Sequence, residues 1–303
     1  MPDITALVVA WNGRADVESC LRGLFAEAAG PRPEVVVVDN GSTDGTAALV
    51  RERFPAARLV ENGSNLGFAA AVNRALPDCR TPFVLLLNPD ASPAPGCLEA
   101  LRAFLAGRPA AWAAGPRILD ARGRPRPPGF RFPRLQDALL EALFLDRLFA
   151  PDGGAAREPH RAGWLEGSCL LVRREAFDRV GPFDERFFLY YEEVDWLRRA
   201  AAAGGEAWWV PSAGAVHRGP GSPGHYDAHR LVHFHRSRVA YQAKHHGRAS
   251  AAVLRALLAL RAAGRIGAWS AAWLVAPRIR PRAASCLRGY GRVLGLLARG
   301  EGA

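Results

Sequence analysis

The sequence predicts an α/β fold with a mostly parallel sheet flanked by helices, and three observations lead to this prediction. Short apolar runs alternate with helix-like stretches through the first third of the chain. The apolar runs are rich in Val and Leu and lack polar alternation, which is typical of strands covered on both faces. Of the 303 residues, 49% are apolar, which is enough for a large core and excludes a disordered chain.

Four strands and three helices are predicted in this first part. The strands are expected at residues 5–10, 34–39, 58–61 and 82–87. The helices between them are expected at residues 16–29, 45–54 and 68–76. Because the ligand crevice of an open α/β sheet lies outside the carboxyl ends of its strands, the polar clusters after these strands predict a binding site.

The alternation breaks at residues 118–162, where a Pro- and Gly-rich stretch precedes an amphipathic helix predicted around residues 135–149. We interpret 118–162 as a variable loop or insertion within one domain of residues 1–246. A helical basic tail follows at residues 247–303.

The net charge of +11 is concentrated at the end of the chain. Residues 244–303 carry 11 basic residues and one acidic residue, whereas the first 243 residues carry a net charge of only +1. A nearly neutral body argues against nucleic acid as its partner, because phosphate binding needs a basic face. Leu and Trp at helical spacing beside Arg predict a tail that binds an anionic membrane surface. Packing on the enzyme or a homodimer contact remains an open alternative.

Cysteine usage and hydropathy predict a cytoplasmic protein without a membrane-spanning segment. The five cysteines are far apart, odd in number and not preceded by a signal peptide pattern, which favours a reducing compartment. The uncharged stretch 266–277 is shorter than the roughly 20 residues that span a bilayer.

Two polar clusters follow the first two predicted strands. The first contains Ala10 and Asn12, and the second runs from Asp39 to Thr46 with two glycines. The carboxylate of Asp39 is suited to accept a hydrogen bond from the N3–H of uracil or thymine. A tight turn that caps the next helix is the alternative for the second cluster.

Two further clusters follow the third and fourth strands. Asn65 and Gly67 precede a helix that carries Asn73, so backbone N–H groups can face a diphosphate at the helix N-terminus. Asn88-Pro89-Asp90 follows the fourth strand, and its carboxylate suits Mg²⁺ or Mn²⁺ bridging the phosphates. An ordinary loop and an Asn-Pro-Asp turn are the structural alternatives.

In order and approximate spacing, these four clusters resemble those of the family-2 inverting glycosyltransferases of GT-A fold, most of all the bacterial rhamnosyltransferase branch. The resemblance implies that Asp39 contacts the nucleotide base and that Asp90 holds the metal. It assigns the remaining residues to the donor-nucleotide site: Ala10, Asn12, Asn65, Gly67, Asn73 and Asn88.

The second half extends the resemblance to about residue 246. Residues 163–174 resemble the acceptor-side segment of the family and supply Trp164, Glu166 and Gly167. His217, followed by Gly and Ser residues, occupies a position that implies a metal or phosphate ligand.

Residues 181–199 resemble the catalytic segment, in which one carboxylate takes the proton of the acceptor hydroxyl. The family usually has Glu-Asp where this chain has Glu192-Glu193, so we expect Glu193 to be the base and Asp195 to be its closest rival. Repulsion among three acids this close is expected to raise at least one pKa. The alternative is a solvated helix start, where acids suit the helix dipole.

The resemblance implies an inverting, metal-dependent transferase that moves a sugar, such as rhamnose, from a dTDP- or UDP-sugar to a lipid-linked saccharide. That acceptor implies a peripheral position on the inner face of the plasma membrane. Two alternative functions remain open. A sugar-phosphate nucleotidyltransferase would need a basic, Gly-rich loop that residues 6–12 lack, and a non-catalytic scaffold is favoured only by Glu193 in place of Asp.

Overall fold

The computed structural model describes residues 2–26, 32–126, 131–145, 157–219 and 228–300, and these residues form two compact units. The first unit contains the described residues up to Phe132, from 157 to Glu185 and from Glu192 to 219. The second contains residues 133–145, 186–191 and 228–300.

A single sheet organises the described part of the first unit. Its strands are β1 Ile4–Ala10, β2 Glu34–Asp39, β3 Arg58–Glu61, β4 Phe83–Leu87, β5 Ala91–Pro93, β6 Ala111–Leu119, β7 His160–Ala162, β8 Cys169–Arg173 and β9 Glu206–His217. Their order across the sheet is β3-β2-β1-β4-β8-β6-β9-β5, and β7 pairs with β9.

Helices flank the sheet in the first unit and make up most of the second. They are α1 Arg14–Ala26, α2 Thr46–Arg53, α3 Phe68–Ala75, α4 Cys97–Ala106, α5 Leu135–Ala142, α6 Arg174–Val180, α7 Glu192–Ala202, α8 Ala228–Val275 and α9 Arg280–Ala298. Of these, α5, α8 and α9 belong to the second unit.

The predicted α/β class and the first four strands are confirmed. The helix expected at residues 16–29 begins at Arg14, and residues 27–29 of that prediction lie outside the described residues. The next two helices differ from their predicted bounds by at most one residue at each end. The helix expected at residues 135–149 ends at Ala142, because Leu143 leaves the helical conformation and Phe144 has a φ of 59°. Residues 146–149 of that prediction lie outside the described residues.

The sheet is parallel from β3 through β2 and β1 to β4, and it is mixed beyond β4. Strand β1 pairs in parallel with β2 and β4, whereas β4 pairs with β8, and β5 with β9, in antiparallel fashion. Alternate residues of β1 enter two cores: Ala6 and Val8 pack on one face, and Leu7 on the other. Coverage of both faces explains why this strand is an unbroken apolar run.

The second unit is helical and has its own core. Helix α8 breaks at Gly247, whose φ of 84° is left-handed, and its later part packs against α9 through Leu254, Leu258, Tyr290 and Val293. None of the helices in the described stretches combines the length and apolar character needed to cross a membrane. All five cysteines of the chain are buried free thiols.

Candidate active site

Asp39 is the last residue of β2, and its two carboxylate oxygens differ in their hydrogen bonding. Its Oδ2 atom accepts hydrogen bonds from the backbone N–H groups of Gly41 at 3.2 Å and Ser42 at 3.0 Å. Its Oδ1 atom is buried, and no described residue donates to it. A buried acceptor without a donor is costly, so this oxygen is suited to an N–H group of a bound ligand.

Asn12 joins the loops that follow β1 and β2. Its Oδ1 atom accepts a hydrogen bond from the backbone N–H of Thr43 at 2.8 Å, and its own N–H donates to Ser42 Oγ at 2.9 Å. The backbone N–H of Asn40 donates to the carbonyl of Ala10 at 2.8 Å. Ala10 and Asn12 therefore lie at the Asp39 loop, and the side chain of Asn12 holds that loop in place.

Asn40 joins the Asp39 loop to the loop that follows β3. Its Nδ2 atom donates to the carbonyl of Gly67 at 3.0 Å, and its Oδ1 atom accepts from Asn62 Nδ2 at 2.7 Å. Asn65 Oδ1 accepts from the N–H of Gly67 at 3.0 Å, which shapes the start of α3. No role was predicted for Asn40 from the sequence, because its partners lie in a different loop.

Asn73 is not brought together with these loops. Its amide donates to the carbonyl of Phe183 and to Glu185 Oε1, both at 2.9 Å, and accepts from the N–H of Phe183 at 2.9 Å. Asn73 therefore anchors α3 to the segment that precedes α7.

Asp90 and His217 meet because β5 pairs with β9. In this antiparallel register Ala91 lies opposite His217, and the N–H of Arg218 donates to the carbonyl of Asp90 at 3.0 Å. His217 Nε2 consequently lies 3.2 Å from Asp90 Oδ1. Asn88 lies nearby in sequence, and its N–H donates to the carbonyl of Ser168 at 3.0 Å.

This pair of atoms fits a divalent cation of the Mg²⁺ or Mn²⁺ type. An octahedral ion with ligands at about 2.1 Å places neighbouring ligands about 3 Å apart, close to the separation of Asp90 Oδ1 and His217 Nε2. Mn²⁺ accepts carboxylate oxygen, and imidazole is a usual ligand of first-row metals. Within the described residues no group of three His, Cys, Asp or Glu side chains surrounds one point. Diphosphate and water oxygens would have to complete the coordination.

Glu166 lies against His217. Its Oε1 atom is 2.5 Å from His217 Nδ1 and accepts a hydrogen bond from Arg126 Nη1 at 3.0 Å. Burial disfavours the charged imidazole, but the hydrogen bonds to Asp90 and Glu166 outweigh it and raise the pKa of His217 to about 9. Burial also disfavours the Glu166 carboxylate, yet the hydrogen bond and charge of His217 lower its pKa.

Arg126 belongs to this cluster although its sequence context did not single it out. It follows a tight turn in which the N–H of Asp120 donates to the carbonyl of Arg124 at 2.8 Å, and its own N–H donates to the carbonyl of Ile118 at 2.8 Å. The turn folds the chain back from the end of β6 towards His217. Nothing in the Pro- and Arg-rich sequence distinguished this arginine from its neighbours.

Glu192, Glu193 and Asp195 lie in the first turn of α7. Glu192 is buried, and Glu193 is half-buried beside Gly167, where a Cβ atom on the glycine would lie 3.5 Å from Glu193 Cγ. The Oε2 atom of each acid is buried without a donor in the described part of the chain. Trp164, three residues before Gly167, is partly buried against the core.

Burial shifts the titration of both glutamates. It raises the pKa of Glu193 to about 7, to which the negative charge of Glu166 contributes. Burial and the charge of Glu193 raise the pKa of Glu192 well above its usual range. The raised pKa expected from these crowded acids is therefore present, with desolvation as its first cause.

Asp195 has a different environment. It is fully buried, and its Oδ2 atom accepts a hydrogen bond from Arg199 Nε at 2.9 Å. Arg199 also donates to the carbonyls of Val180 and Pro182, both at 2.8 Å. Asp195 thus holds an arginine that joins α7 to the end of α6.

Comparisons with known proteins agree with this architecture. The N-acetylglucosaminyl-diphospho-decaprenol L-rhamnosyltransferase of Mycobacterium tuberculosis is 38% identical over 232 residues, which cover 70% of this chain and 75% of that protein. Rhamnosyltransferase WbbL of Escherichia coli is 41% identical over 54 residues, 18% of this chain and 20% of that protein. The solved mannosyltransferase PcManGT from Pyrobaculum calidifontis, in complex with GDP-Man and Mn²⁺, aligns with a TM-score of 0.59 and 20% identity over 97% of this chain and 86% of that chain.

The structural likeness confirms the expected GT-A type of fold. The model of the family described as "Glycosyl transferase family 2" matches residues 5–181, which is more than half of the chain. Together with the mycobacterial relative, this match shows that the chain belongs to glycosyl transferase family 2.

Proposed function

We propose that this glycosyltransferase transfers rhamnose from dTDP-rhamnose to a hydroxyl group of a lipid-linked saccharide, with inversion at the anomeric carbon. The observation that carries the choice of sugar and acceptor is the 38% identity to the mycobacterial decaprenol-linked rhamnosyltransferase over 70% of this chain. The sugar and the acceptor are taken from the name of that relative, and the roles of individual residues are taken from the site described above.

In the proposed reaction Glu193 is the base. Its carboxylate takes the proton of the acceptor hydroxyl while the hydroxyl oxygen forms a bond to the anomeric carbon, and the bond from that carbon to the diphosphate breaks with both electrons on the leaving oxygen. Three features support this assignment: its half-buried position, the buried Oε2 atom without a donor among the described residues, and a pKa raised by burial to about 7. Asp195 is less suited, because it is fully buried against Arg199.

The donor is proposed to lie along the carboxyl ends of β1, β2 and β4. Asp39 Oδ1 accepts the N3–H of the thymine or uracil ring, and the start of α3 at Gly67 offers backbone N–H groups to phosphate. Asp90 and His217 hold the divalent cation, which when bound offsets the charge that develops on the leaving diphosphate.

A panel of nucleotide sugars tests this function. Purified protein is incubated with dTDP-, UDP- and GDP-sugars, Mg²⁺ or Mn²⁺, and a polyprenyl-diphosphate GlcNAc acceptor, and the products are identified by mass spectrometry. We expect transfer from dTDP-rhamnose and loss of transfer in EDTA. Transfer of a different sugar would refute the donor assignment alone, whereas no turnover of any nucleotide sugar would refute the function.

We also propose that the tail binds an anionic membrane, where a lipid-linked acceptor resides. Support comes from the last turn of α8, where Leu274 is 67% and Val275 is 80% exposed beside Trp273. The Arg280 guanidinium lies 4.9 Å from the centre of the Trp273 ring, and residues 247–300 contain no acidic residue. Exposed apolar side chains beside arginines match the interface of an anionic bilayer.

Vesicle flotation tests this part. Leu274→Ser with Val275→Ser should reduce binding to phosphatidylglycerol vesicles at least fivefold, whereas Val253→Ser with Leu260→Ser, which alters residues 49% and 58% exposed earlier on α8, should not. Equal binding by the two double variants would contradict the proposal. Sedimentation of the same proteins would then test the homodimer alternative.

A further inference from the structure

We propose that Glu166 is a positioning residue for the metal site, which holds His217 so that its Nε2 atom is directed at the cation beside Asp90. This inference rests on the metal site of the proposed function. It gives Glu166 a role different from the acceptor contact expected from the sequence.

The two ring nitrogens of His217 face two different carboxylates. Nε2 lies 3.2 Å from Asp90 Oδ1, and Nδ1 lies 2.5 Å from Glu166 Oε1. The imidazole side chain is only 12% exposed, so it has little freedom to choose other partners. The ring is therefore fixed between one acid that can share a cation with it and one acid on its opposite edge.

A histidine binds a metal through a nitrogen that carries no proton, so the tautomer decides which nitrogen is available. A bound cation would displace the proton that Nε2 shares with Asp90. The carboxylate at Nδ1 keeps the remaining proton on that nitrogen, so the Nε2 lone pair is left for the cation. Such carboxylate–histidine pairs raise the basicity of the ligand and fix the ring orientation, and their loss typically lowers metal affinity about 10- to 100-fold.

Arg126 fixes Glu166 in turn. Its Nη1 atom donates to Glu166 Oε1 at 3.0 Å, and its Nη2 atom lies 3.4 Å from the carbonyl oxygen of His217. A Cβ on Gly219 would lie 3.3 Å from Arg126 Nη2, so the backbone after His217 also packs on this guanidinium. Arg126 therefore supports both partners, because the Nη1 atom that donates to Glu166 also lies 3.3 Å from His217 Nδ1.

The test measures Mn²⁺ binding rather than transfer. Free Mn²⁺ is quantified by electron paramagnetic resonance for the full chain, alone and with dTDP, in the wild type, Glu166→Ala, His217→Ala and the double variant. We expect Glu166→Ala to weaken Mn²⁺ binding about 10- to 100-fold, and to change nothing further when His217 is already Ala. Glu99→Ala removes a carboxylate that pairs with Arg102 on α4 and should leave Mn²⁺ binding unchanged.

Each other outcome is informative. Wild-type affinity in Glu166→Ala would overturn the proposal, and so would an equal loss in the His217→Ala background, which would make Glu166 a direct ligand. Undiminished Mn²⁺ binding in His217→Ala, or no Mn²⁺ binding by the wild type with dTDP, would instead refute the metal site on which the proposal depends. Should Glu166→Ala fail to fold in a thermal melt, Glu166→Leu replaces it, because leucine fills a similar volume but offers no acceptor oxygen to His217 Nδ1.

Discussion

His217 Nε2 lies 3.2 Å from Asp90 Oδ1, although the two residues are far apart along the chain. The register of β5 on β9 creates this contact, since Ala91 lies directly opposite His217. The pair offers one oxygen atom and one nitrogen atom to the proposed cation, beside the carboxyl end of β4. Its importance for the reaction can be measured with single substitutions.

Removal of the Asp90 carboxylate should disable transfer without unfolding the protein. We expect Asp90→Asn to lower kcat/KM about 100-fold or more, because a bound cation contributes several kcal/mol to stabilising the leaving group. Asp16→Asn is the control, since that carboxylate is half exposed and lies 3.4 Å from Arg218. Equal activity of Asp90→Asn and Asp16→Asn in a steady-state transfer assay would argue against the metal assignment.

The pH dependence of transfer should report the titration of Glu193. The base works when deprotonated, and its pKa of about 7 means that it is mostly protonated at pH 5. We therefore expect kcat/KM to rise with pH through about 7 and then level off. Glu193→Gln should lose roughly 100- to 10,000-fold in activity, and wild-type activity in this variant would refute the assignment.

Asp195 should matter for stability more than for chemistry. Asp195→Asn leaves Arg199 without its buried anionic partner, which we expect to cost roughly 1–3 kcal/mol in the free energy of unfolding. Glu193→Gln should cost less than this or even stabilise the protein, since it removes a buried charge that lacks a donor in the described residues. Urea denaturation of both variants checks the contrast, and the reverse order of stabilities would contradict it.

Asp39 should recognise the N3–H of the nucleotide base. We expect Asp39→Asn to weaken dTDP binding about tenfold, which corresponds to about 1.4 kcal/mol. The matched ligand is N3-methyl-dTDP, which lacks the proton. Wild type should bind the methylated nucleotide about tenfold more weakly in calorimetry, while the variant should bind both ligands alike. Full discrimination by the variant would show that a different group recognises the base.

Gly41 should be required for the close approach of the loops after β2 and β3. Its φ is 76°, and a Cβ there would lie 2.7 Å from Ser64 Cα, a backbone atom. Gly41→Ala should therefore destabilise the protein by about 1–3 kcal/mol. Gly13→Ala is the control, because a Cβ at Gly13 meets nothing within 4 Å. Equal melting temperatures for the two variants would contradict this explanation.

The parallel half of the sheet and the positions of its polar clusters could be predicted from the amino-acid pattern. Burial on both faces requires an unbroken apolar strand, and a strand end requires a turn, so residues 34–46 indicate both features locally. A raised pKa among the clustered acids was also predictable in direction, but its first cause at Glu192 and Glu193 is burial, which only the folded chain decides.

Which distant side chains meet could be read only from the folded chain. The register of β5 on β9 places His217 beside Asp90. A turn after β6 brings Arg126 to Glu166, and the amide of Asn73 hydrogen-bonds to the backbone of Phe183. The fold also distinguishes Glu193 beside Gly167 from Asp195 buried on Arg199. Periodicity along a chain encodes which face of an element is buried, whereas these contacts depend on antiparallel register and long-range packing, for which no local pattern exists.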